Sequence, residues 1–185
     1  MDSTALILII VAVLILAGFA GWYLQKRRSE KLRGRFGPEY ERTVAESGDR
    51  RKAERLLEKR EKRVATYQIR PLTTGDRERF SEAWREVQAG FVDNPKVAVG
   101  RADQVVGDVL ELRGYPVTDF WQRSEDLSVD HPVVVENYRA AHDIAERQKR
   151  GEASTEDLRK AMVYYRALFE ELLGTREVIN TEAKS

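Results

Sequence analysis

The chain has only two imidazoles, His131 and His142, and no cysteine. A hydrolytic metal centre would need both rings to converge with carboxylates such as Asp130, Glu136 or Asp143. Eleven positions along one helix hold the rings about 16 Å apart, too far to share an ion. Asp130 and His131, standing before Pro132, have instead the character of helix-start residues that cap backbone N–H groups. The lack of Cys removes thiolate nucleophiles, disulfides and Cys-ligated zinc together, and fits a reducing compartment. No Gly-x-Ser-x-Gly elbow, glycine-rich phosphate loop or His-Glu-x-x-His helix occurs. These residues predict no catalytic group, no cofactor and no metal.

The stretch that does stand out is RGYPVTDFWQRSEDLSVDHPVVVENYR, residues 113–139, where turns, aromatics and acids concentrate. It reads either as a connection whose Phe120 and Trp121 plug the open end of a helical bundle, or as a partner-binding edge. The surface it would offer a protein partner is built from Asp119, Trp121, Asp130 and His131.

What positions these residues begins with Ala5 to Leu24, twenty consecutive residues without a charge. At 1.5 Å per residue they cover about 30 Å, the thickness of a bilayer's hydrocarbon core. Twelve of them are Leu, Ile, Val or Phe, which favours insertion by about 4–7 kcal/mol. The flanks orient the span: Asp2, Ser3 and Thr4 precede it, and Lys26, Arg27, Arg28, Lys31, Arg33 and Arg35 follow it. Positive charge stays inside, so the sequence predicts a single pass, N-terminus out and C-terminal domain in the cytoplasm. Trp22 and Tyr23 fall at the headgroup level. A cleaved signal peptide would need its cations before the apolar stretch, the reverse of the order here. Ala17 and Gly21, one turn apart, have the small-xxx-small spacing that permits a second copy to approach closely.

Charge is unevenly distributed. Residues 25–70 hold sixteen Lys or Arg against eight Asp or Glu, and residues 71–185 sixteen against twenty-two. The six cations after the span are placed to meet anionic lipid headgroups. Nucleic acid is disfavoured as a partner, because acids interleave with the cations along the whole basic segment.

Periodicity predicts helices and no strands. Gln25 to Gly37 reads as a basic juxtamembrane linker. A charged helix opening at Pro38 carries a narrow stripe of Ala53, Leu56, Leu57, Val64 and Tyr67, with Glu46–Arg50 and Glu58–Lys62 as pairs at i and i+4. Ser47-Gly48-Asp49 either interrupts that helix or only weakens it. After an extended joint at Pro71, Phe80, Trp84, Val87 and Phe91 make one core stripe, and Val99, Ala102, Val106, Val109 and Leu110 another. A short helix at 119–124 is followed by a loop, a helix from His131 to about Lys149, and a last helix capped by Ser154 and ended by Gly174. The fold class is therefore all-α. A four-residue external leader (1–4) precedes an N-terminal transmembrane helix (5–24). A basic linker and charged helix (25–70), a cytoplasmic bundle of four to five helices (71–174) and a flexible tail (175–185) follow.

The strings FGPEYERTV, IRPL, FVDNP, RGYPVTDFWQR, SVDHPVVVENYR and ASTEDLR occur in this order after the apolar run. In these the chain resembles a group of bacterial single-pass membrane-anchored proteins of unknown function. The resemblance implies a bacterial inner-membrane setting and carries no activity, cofactor or catalytic residue. The expected function is a membrane-tethered helical interaction or scaffold module; the alternative is an enzyme of unknown type acting on a membrane-proximal substrate.

Overall fold

A computed structural model describes residues 3–174, and for residues 3–11 and 14 the backbone only. The expected tail, 175–185, lies outside the described residues. Every regular element among those described is an α-helix. The chain divides into two compact units, Met1–Glu58 and Lys59–Ser185.

In the first unit, α1 runs from Ser3 to Phe36 without interruption, 34 residues or about 51 Å. The expected linker at 25–37 is thus the last third of this helix. Lys, Arg, Gln, Glu and Leu dominate that stretch and are strong helix formers, so a helix already nucleated upstream propagates through it. Leu32 and Phe36, one turn apart, are buried there. Gly37, at φ +48°, ends α1, and Pro38 opens α2 (Pro38–Ser47) at its first turn. Gly48, at φ +66°, then closes α2, its N–H donating to the Val44 carbonyl. Asp49 accepts the Lys52 N–H at 2.6 Å as α3 (Arg50–Val64) begins. Ser47 to Asp49 is a true break.

The stripe expected on α3 is only partly correct. Ala53, Leu57 and Val64 are buried, but Leu56 is exposed and the carboxylate of Glu54 is buried in company with them. The i, i+4 pairs also fall elsewhere. Glu46 binds Arg42 at 2.6 Å, Glu58 binds Arg28 in a two-pronged pair, and Arg50 binds Glu54 at 3.1 Å.

The second unit holds the end of α3 and five further helices: α4 (Thr74–Asp93), α5 (Pro95–Arg113), α6 (Phe120–Asp130), α7 (Val135–Lys149) and α8 (Thr155–Leu173). Thr73 with Asp76, and Ser154 with Asp157, form reciprocal capping boxes that start α4 and α8. Asn94 and Pro95 start α5, while Gly114 and Gly174 end α5 and α8 in the left-handed conformation. The core joins Phe80, Trp84 and Val87 of α4, the predicted stripe of α5, and Tyr138, Ala141, Leu158, Ala161, Tyr165 and Phe169 of α7 and α8. Trp84 stacks on Phe169 with ring centres 4.6 Å apart.

The main departure is α6, which continues to Asp130 instead of giving way to a loop after Ser124. Its polar letters are satisfied internally. Ser124 Oγ donates to the Trp121 carbonyl at 2.9 Å and Ser128 Oγ to that of Glu125 at 2.6 Å, so both residues bury at low cost. The helix expected to open at His131 starts only at Val135, after a turn.

Candidate functional site

The two histidines are separated in function as well as in space. His142 on α7 stacks flat on Phe120, centre to centre 3.5 Å, and burial pushes its pKa down. His131 follows α6 and meets the ends of α5 and α8. Its Nδ1 lies 3.2 Å from Glu171 Oε1 and its Nε2 lies 3.4 Å from Arg113 Nη1. A guanidinium only donates, so Nε2 accepts from Arg113 and Nδ1–H donates to Glu171. Burial, then the Arg113 charge, lowers the His131 pKa, while Glu171 acts the other way without overcoming them. The ring is therefore neutral at pH 7 with both nitrogens engaged.

Around it lies a cleft of about 210 Å³ lined by Arg77, Arg113, His131, Glu171 and the apolar Pro71 and Leu172. Arg113 Nη1 also donates to the Leu172 carbonyl at 3.2 Å, which neutralises the end of α8. Among the described residues the cleft contains a cation pair, one carboxylate and an imidazole, and no hydroxyl or thiol. Among the described residues no group of three His, Cys, Asp or Glu could hold a metal ion.

The other expected surface residues have separate tasks. Asp119 is the cap of α6, its Oδ1 accepting the Gln122 N–H at 3.1 Å. Asp130 accepts from the buried Tyr115 hydroxyl at 2.9 Å. Trp121 does not plug the bundle: it is 65% exposed, and only the edge of Phe120 meets it, with centres 5.3 Å apart. Phe120 fills that role alone, against Tyr138 and His142. Trp121 and Asp130 stand at opposite ends of α6, about 14 Å apart along its axis, so Asp119 and Trp121 fall at its start and Asp130 and His131 at its end.

A polar network absent from the sequence reading joins the end of α3 to α6. Arg63 donates to Asp126 at 2.6 Å and to Glu125 at 3.1 Å, Arg60 donates to Glu125 at 3.2 Å, and the Tyr67 hydroxyl donates to Asp126 at 2.8 Å. Asp126 is 1% exposed, and the two donors that converge on it, Arg63 and Tyr67, offset its desolvation. The spacing of Arg60, Arg63 and Tyr67 on one helical face was its sequence signal.

In the first unit, Val13, Ile15, Leu16, Phe19, Trp22 and Leu24 are each more than half exposed. At 100° per residue they cover about 200° around α1, and Ala17, Gly18 and Gly21 occupy the remaining sector, which leaves this stretch no polar face. Ala17 and Gly21 are exposed on the same helix. Among the described residues no helix is long and apolar enough to cross a membrane, and the side chains of residues 5–11 and 14, over a third of the apolar run, are not among those described.

Of the six cations after the run, Lys26 lies over the Trp22 ring at 5.6 Å and Arg27 over the Tyr23 ring at 5.1 Å. Arg28 is taken up by Glu58, and Arg33 pairs with Glu41 at 2.7 Å. Lys31 and Arg35 are exposed and also engaged. The centre of this unit is Glu54, 1% exposed, which accepts from Ser29 Oγ at 2.5 Å, Gln25 Nε2 at 2.8 Å, the Tyr40 hydroxyl at 2.9 Å and Arg50 Nε at 3.1 Å. Burial alone would raise its pKa; the bonds from Ser29, Tyr40 and Arg50 outweigh that and hold it below the ordinary value.

No family model, no curated protein and no solved structure matches the chain.

Proposed function

We propose that the protein is a membrane-tethered helical interaction module, anchored through α1 in the inner membrane with its C-terminal bundle on the cytoplasmic side. The anchor is supported by the length and composition of residues 5–24 and by the apolar surface on every side of α1, which water alone would leave uncovered. Its continuity with the cations of residues 26–35 supports the orientation and contact with anionic headgroups. Tethering raises the effective concentration of a partner held at the same membrane.

The observation that carries the interaction reading is Trp121. A large aromatic side chain 65% exposed on a bundle with a filled core contributes little to folding, and Trp is the residue type most enriched at binding hot spots. The rival reading, an enzyme acting near the membrane, has two clefts to draw on: the His131 cleft of about 210 Å³, where the imidazole is engaged at both nitrogens, and a wider one of about 820 Å³ lined by Arg70, Arg79, Asp108 and Glu111. The test is a photoreactive residue at position 121 in cells, with position 92, where Val92 is 85% exposed, as control. One discrete adduct from position 121, absent from 92, is expected. Trp121→Ala in an unlabelled chain should lower stability by no more than about 0.5 kcal/mol. Identical adduct patterns from both positions, or collapse of the fold in the Ala variant, would remove the reading.

A further inference from the structure

The first unit brings to the foot of α1 two cations that the sequence places far from it. Gln25 of α1 bonds to Glu54 of α3, and Arg28 to Glu58, so the partner advances along α3 as it does along α1. The two helices run in the same sense, and the intervening α2 returns the chain towards the apolar end. Arg50 and Arg51, one turn before Glu54, therefore lie at the level of Trp22 and Lys26. With Gln25 and Ser29 these residues line a cleft of about 270 Å³.

Charge in this cleft is not cancelled. Arg51 is exposed and has no ion-pair partner among the described residues. Lys26 has only Glu30 at 3.9 Å, and Arg50, although bonded to Glu54 and Tyr40, keeps a side chain 59% exposed. The carboxylates close by are already used: Glu54 by its four donors, Asp49 as the cap of α3, Glu46 by Arg42. Trp22, 58% exposed, forms the wall on the apolar side, with the exposed Phe19 ring tilted against it, centres 5.8 Å apart.

We infer that this cleft binds the phosphate of an anionic phospholipid headgroup, with Lys26, Arg50 and Arg51 around the phosphate and the lipid's acyl chains along Phe19 and Trp22. The inference rests on the anchor proposed above. Apolar surface directly beside the cations favours a lipid over a soluble phosphate ester, which would gain nothing from it. Three side chains that converge from two helices give a stereochemically defined site, unlike a row of independent lysines in a flexible tail.

The experiment uses the full chain in nanodiscs of phosphatidylcholine with a minority of phosphatidylglycerol, its retained lipids counted by native mass spectrometry. Phosphatidylglycerol should be enriched over phosphatidylcholine. Lys26→Gln with Arg51→Gln should cut that enrichment about tenfold. Lys96→Gln with Arg101→Gln, an equal charge change on the exposed surface of the second unit, should leave it intact. Entry into nanodiscs without enrichment, or an equal fall in both double variants, overturns the headgroup site and leaves the anchor standing. Failure to enter the nanodiscs removes the anchor and this inference together. Displacement of the retained lipid by glycerol phosphate or by duplex DNA would assign the cations to a soluble phosphate ester or to nucleic acid and overturn the lipid assignment.

Discussion

At His131 the fold holds an imidazole neutral between a guanidinium that donates to it and a carboxylate that accepts from it. In the unfolded chain the same ring titrates at its ordinary 6.5, and burial lowers that value in the fold. The unfolded state thus binds the proton first as pH falls, so stability is full above about pH 6.5 and declines below it. His142, depressed by burial against Phe120, acts with the same sign. Melting temperatures of the detergent-solubilised chain should be flat from pH 8 to 7 and fall from pH 6.5 to 5, where ordinary carboxylates remain ionised. His131→Gln should make that slope shallower; an unchanged slope would show that the ring is not held neutral. The wider lesson at this scale concerns accounting for donors. Glu54 and Asp126 look like surface charges in the sequence, yet each is buried because several donors arrive from residues 14 to 63 positions away.

Among the elements, caps and apolar stripes were legible in the sequence and polar burial was not. Ser154 and Gly174 mark helix ends through local chemistry, and the stripes of α4 and α5 repeat at helical spacing, so both signals are contained within a few residues. The second half of α6 carries no such stripe, because Ser124, Asp126 and Ser128 are buried by partners supplied from its own backbone and from α3. That the linker helix runs on from the apolar run without a break was not legible for a related reason: its packing side opens with Gln25, Arg28 and Ser29, which a hydrophobicity pattern ignores, before Leu32 and Phe36. Of the candidate site, exposed Trp121 could be named but not its exposure, and Arg113 and Glu171 join His131 only because α5 and α8 end at the same place. Gly114 fixes the first of those ends. It adopts φ +98°, and a Cβ there would stand 2.4 Å from the Gln68 carbonyl oxygen. Gly114→Ala should therefore destabilise the bundle by about 2–4 kcal/mol, through strain and displacement of the segment before α4. Chemical denaturation of the variant measures it, and a loss under 1 kcal/mol would mean that segment is free to move away.

For the whole molecule, the distribution of function follows the two units. The first holds a clamp around Glu54 that fixes basic side chains beside an apolar helix; the second is a filled bundle whose Trp121 faces outward. That arrangement suits the proposed task of being held in one place and recognised there, by charge in the first unit and by an aromatic side chain in the second. The most direct test is alkaline extraction of membranes from cells that make the full chain with a tag after Ser185. The anchored account predicts that the chain stays in the membrane pellet and that deletion of residues 5–24 releases it into the supernatant. Release of the full chain by the alkaline wash would contradict it.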